Sequence, residues 1–87
     1  MLDFYKITDV NRNDVLHSIS ENVLLKINDD LINRGLNIDL YGTIRLYPSH
    51  ISIIIDILQK RNMSKSDLFK FLLEVKNRGE VLILEGN

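Results

Sequence analysis

The sequence predicts an α+β fold, a small two-layer sandwich with helices packed on a three- or four-stranded sheet. Three observations predict it. Apolar residues recur every three or four positions in three separate stretches, which is helical spacing. Short segments that alternate, or are apolar throughout, lie between and around them and read as strands. The two kinds are interleaved in the order β-α-β(β)-α-α-β, which suits helices on a small sheet rather than a bundle or a sandwich of strands. At 87 residues the chain makes one domain, residues 1–87.

The first segment, "LDFYKI", has apolar residues at 2, 4, 5 and 7 and reads as a short strand. "TDVNRND" follows with several N-cap residues in a row. From about Asp14 to Arg34, Val15, Leu16, Ile19, Val23, Ile27 and Leu31 mark an amphipathic helix. Gly35 ends it, because a C-cap takes the left-handed conformation that glycine adopts without strain. In "LNIDLYGTIRLY" the residues Ile38, Leu40, Ile44 and Leu46 share one parity, with Asp39 and Arg45 on the other. That reads as a strand, or as a hairpin turning at Tyr41-Gly42.

Pro48 stops this strand and Ser49 can cap a second helix, "HISIIIDILQKRN". Its apolar arc is wide, so cover on two sides is expected. Its β-branched run at 51–58 is also compatible with part strand. The third helix, "SDLFKFLLEVKNR", ends at Gly79 and leads into "EVLIL". That closing strand should lie centrally, because "VLIL" is apolar on both faces.

Composition narrows the function. Fourteen Leu, twelve Ile and five Val make a strongly aliphatic core, with no Cys and hence no disulfide or thiolate site. A chain of this length buries only about 60–65% of the surface it exposes when unfolded. The N-terminal stretch carries Asp3 and Asp9 and lacks the apolar run of a signal peptide. The longest apolar stretch, "ISIIIDIL", is too short to span a membrane. A cytoplasmic protein with no membrane partner is the expectation. Net charge is −1, unevenly spread: residues 1–40 carry seven acids against four bases, and residues 59–78 carry six bases against two acids.

No constellation for catalysis stands out, so a non-enzyme without cofactor is expected. His17 would share a helix face with Asp14 and Glu21, but a metal site needs further converging ligands, and none is assigned. Ser49, Ser64 and Ser66 read as caps rather than nucleophiles. The four glycines are scattered and form no phosphate loop.

Two functional readings remain. Leu25 and Ile32 are seven residues apart on the first helix, opposite its main apolar stripe, with Asp29 between them and Glu21 and Asn28 near. Burial of that helix on two sides would account for them. The functional reading is an acid-rimmed seam of Glu21, Leu25, Asp29, Asp30 and Ile32 that docks a basic protein partner or a second copy. A small non-catalytic inhibitor, immunity protein or antitoxin has this size and plainness. In its length and its closing helix, Gly79 and strand, the chain loosely resembles the barstar family of ribonuclease inhibitors. The chain carries no diagnostic motif of that family, and the resemblance assigns no residue a role.

The alternative is a DNA-binding regulator with a helix-turn-helix around residues 50–78, with Lys60, Arg61 and Lys65 at the turn. Against it, Asp67, Lys70, Glu74 and Arg78 alternate in sign at i,i+3 and i,i+4 on the outer face of the third helix. Two carboxylates on that face would repel a phosphate backbone.

Overall fold

Residues 1–86 of the chain are described by a computed structural model. They form strands β1 (Leu2–Lys6), β2 (His17–Ile19), β3 (Thr43–Leu46) and β4 (Leu82–Gly86) and helices α1 (Glu21–Asn33), α2 (Pro48–Lys60) and α3 (Asp67–Arg78). The strands make one antiparallel sheet in the order β2-β1-β4-β3, and the helices cover one of its faces. This is the α+β two-layer sandwich that the residue pattern predicts.

The closing strand lies centrally, between β1 and β3, as its double-faced apolar pattern requires. Phe4 pairs with Leu84 on the inner face, and Tyr5 pairs with Ile83 on the outer one. The inner residues join the core. The outer pair is also buried, although no helix lies there. Arg12 shields it. Its guanidinium sits 5.6 Å from the Tyr5 ring centre, and its Nε donates to Glu85 of β4 at 2.9 Å.

The first helix begins later than its apolar spacing suggests, at Glu21 rather than near Asp14. Residues 17–19 are strand instead. The Asp9 carboxylate accepts the backbone N–H groups of Asn13 and Asp14 at 3.1 and 2.9 Å, so this N-cap candidate closes a turn rather than starting a helix. The Leu16 N–H then donates to the Phe4 carbonyl at 2.8 Å, which draws the chain along β1. His17 therefore does not share a helix face with Asp14 and Glu21. Its ring stacks on Phe71, with centroids 4.9 Å apart and planes 12° off parallel.

Residues 51–58 are helical throughout. α2 starts one residue before the expected cap: Pro48 takes its first turn, where the fixed φ and missing N–H cost nothing. His50 Nδ1 accepts the Tyr47 N–H at 3.2 Å. The wide arc of α2 is covered by α1, α3 and β3 together. α3 follows its sequence cues closely. Ser66 Oγ accepts from the Phe69 N–H at 3.2 Å, and Gly79 closes the helix at φ +65°.

No hairpin forms at Tyr41-Gly42. Residues 36–42 run as an irregular segment whose alternation still holds, with Leu36 and Ile38 buried and Asn37, Asp39 and Tyr41 exposed. The segment is seated by β4. The Gly86 N–H donates to the Gly42 carbonyl at 2.9 Å, and a Cβ at Gly86 would stand 1.8 Å from the Leu40 carbonyl oxygen. Backbone cannot yield there as a flexible side chain would. Gly86→Ala should therefore lower unfolding stability in urea by about 1–3 kcal/mol. An unchanged urea midpoint would contradict this close approach.

Candidate functional site

α1 packs through one narrow stripe, Leu24, Ile27 and Leu31, all buried. Its remaining faces are divided between α2 on one side and the 37–41 segment on the other. On the α2 side, Asp30 accepts a hydrogen bond from Arg61 Nε at 2.7 Å, and Arg34 reaches Asp56 at 2.8 Å. Lys60 also meets Asp56, at 3.2 Å. These pairs are solvent-accessible, so they align the two helices more than they stabilise the fold.

On the opposite side stands an apolar ridge. Leu25 is 57% exposed and Ile32 is 50% exposed, so the helix is not buried on two sides. Asp29 lies between them, exposed and without an ion pair among the described residues. Glu21, at the start of α1, receives the Met1 ammonium, which holds its carboxyl below the usual range. The structure thus brings Leu25, Asp29 and Ile32 together. Glu21 sits at the ridge's end with its charge already matched, and Asp30 turns away towards Arg61.

Beside the ridge is a groove of about 400 Å³, walled by Leu24, Leu25 and Asn28 of α1 and by residues 37–41. Tyr41 forms its outer lip and is 75% exposed. The Asp39 carboxylate accepts the Tyr41 N–H at 2.9 Å and carries the groove's single charge among the lining residues. This second wall is not among the residues the sequence assigns to the site. Its signal was present in the alternation of Leu36, Ile38 and Leu40, which leaves Asn37, Asp39 and Tyr41 facing out.

The corner between α2 and α3 is less basic than its residues suggest, because Lys60 and Arg61 are both engaged by carboxylates. The outer face of α3 also differs from its spacing. None of the Asp67, Lys70, Glu74 and Arg78 pairs closes to an ion pair among the described residues, and Arg78 meets Glu80 instead. Leu73 of the same helix is 39% exposed.

Among the described residues no three His, Asp or Glu side chains converge as a metal site. No helix among them is long and apolar enough to cross a membrane. Comparison with protein-family models, with curated proteins and with solved structures found no match.

The ion pairs carry a pH signature. Hydrogen bonds from Arg34 and then Lys60 hold the Asp56 carboxyl below its ordinary value of 3.8. A carboxyl depressed in the folded state contributes stability above its unfolded value and loses it as pH falls through the folded one. The urea midpoint of the wild type should therefore exceed that of Asp56→Asn at about pH 6, with the gap closing as pH falls below the ordinary carboxyl value. A gap that does not change with pH would contradict these contacts.

Proposed function

We propose that the protein is a small non-catalytic binding module that docks on a basic protein through α1. The observation that carries this reading is the ridge: two large aliphatic side chains stand exposed with an unpaired carboxylate between them. An apolar centre rimmed by acid suits a partner that brings apolar contact and positive charge. The acidic balance of residues 1–40 favours encounter with such a partner. The histidines support a non-catalytic role, since one ring is stacked on Phe71 and the other receives a backbone N–H at a helix start. Within this class an inhibitor, immunity protein or antitoxin of the cytoplasm fits best.

A second reading has its own support. Lys65, Lys70 and Lys76 are exposed and have no carboxylate within ion-pair distance among the described residues, as a nucleic-acid-binding corner would need. The ion pairs at Lys60 and Arg61, and the two carboxylates on α3, weigh against it.

Capture of the tagged protein's partners from lysate of its native host, with and without nuclease, separates the two. The expected outcome is one stoichiometric basic protein that survives nuclease and is lost from the variant Leu25→Lys with Ile32→Lys. Material that vanishes with nuclease and depends on Lys65 would replace this reading with the nucleic-acid one. Asp30→Lys is the wrong probe here, because it would also break the contact with Arg61.

A further inference from the structure

The geometry points to the groove between α1 and residues 37–41 as the seat for a large apolar side chain of a partner segment flanked by Lys or Arg. This rests on the binding-module reading and names what the partner presents.

Three features of the groove specify that occupant. Its floor is apolar, with Leu24 and Ile38 buried beneath it, and its two walls end in Leu25 and Tyr41. A volume of about 400 Å³ lies near the small end of binding clefts, room for a side chain or two. An exposed Tyr is the kind of anchor that binding hot spots favour, and Leu25 opposite it adds apolar contact area.

The groove's two side-chain amides are free to bond a partner. Asn28 and Asn37 stand among the lining residues, and neither side chain makes a hydrogen bond within the described residues. Each amide offers both donors and an acceptor, which is what reading the backbone of an extended segment takes. The charge is of one sign. Asp39 lines the groove, Asp29 flanks it on the ridge, and neither has a cation within ion-pair distance among the described residues. Lys26 lies about 100° around the helix from Leu25 and does not line the groove, but it stands i,i+3 from Asp29, so the charge at the groove rests on Asp39. An acidic segment would meet repulsion from Asp39 here, and a cationic one would not.

Selection of a random peptide display library on the immobilised full chain tests this without knowing the partner. The enriched peptides should carry Leu, Ile, Met or an aromatic residue flanked by Lys or Arg. Their affinity should fall with added salt. It should also fall on the order of tenfold with Tyr41→Ser, and less with Asp39→Asn, which keeps the acceptor for the Tyr41 N–H. Because Tyr41 is so exposed, its replacement leaves the fold intact, and circular dichroism checks that.

Cationic peptides that ignore Tyr41→Ser and Asp39→Asn but are lost with Asp29→Lys and Ile32→Lys would overturn the groove and leave the ridge reading standing. Acidic peptides, or no enrichment, would overturn the inference and the basic-partner reading together. A dimer in sedimentation equilibrium that Tyr41→Ser dissociates would overturn it in favour of a second copy of this chain.

Discussion

Three helices have to close one face of a four-stranded sheet, and that single constraint organises the molecule. α2 takes the middle because its arc is apolar almost all round, and it touches both other helices and β3. Each flanking helix then has one helical neighbour and one free side. α3 spends its free side on β2 and on the Phe4–Phe71–His17 aromatic cluster. α1 has no strand to lean on there. Its free side meets only the irregular 37–41 segment, and this is why a ridge and a groove are left in the open.

Much of this was legible. Helical spacing located all three helices, and glycines and serines marked several of their ends. The central position of β4 followed from Leu82, Ile83 and Leu84 being consecutive and apolar, since a strand buried on both faces needs neighbours on both edges. What was not legible depends on distant contacts. Val15, Leu16 and Ile19 are spaced as on a helix, and over so short a stretch spacing alone does not exclude a strand. The hydrogen bond from Leu16 to Phe4 decides between them, and local sequence does not contain it. The Arg12–Glu85 contact, beside the buried Tyr5–Ile83 pair on the outer face, spans nearly the whole chain and is hidden for the same reason.

The candidate site divides in the same way. Angular position on α1 was enough to group Leu25 with Ile32 and to place Asp29 between them. It was not enough to say whether anything covered them, nor that Asp30 would turn to Arg61. The alternation of residues 36–40 marked one wall of the groove but not its partner, because α1 and this segment are brought together by the close approach of the Leu40 carbonyl to Gly86 of β4. A glycine at a strand end thus sets the shape of a surface built by residues far from it in sequence.

The exposure of the ridge is the claim on which the functional reading stands, and urea unfolding of the Leu25→Lys, Ile32→Lys variant beside Leu31→Ala tests it most directly. Substitutions at an exposed ridge should each stay within about 0.5 kcal/mol of the wild type, whereas Leu31→Ala, in the buried stripe of the same helix, should cost about 2–5 kcal/mol. If the lysine variant instead loses as much as Leu31→Ala, Leu25 and Ile32 belong to the core, and α1 has no free surface to offer a partner.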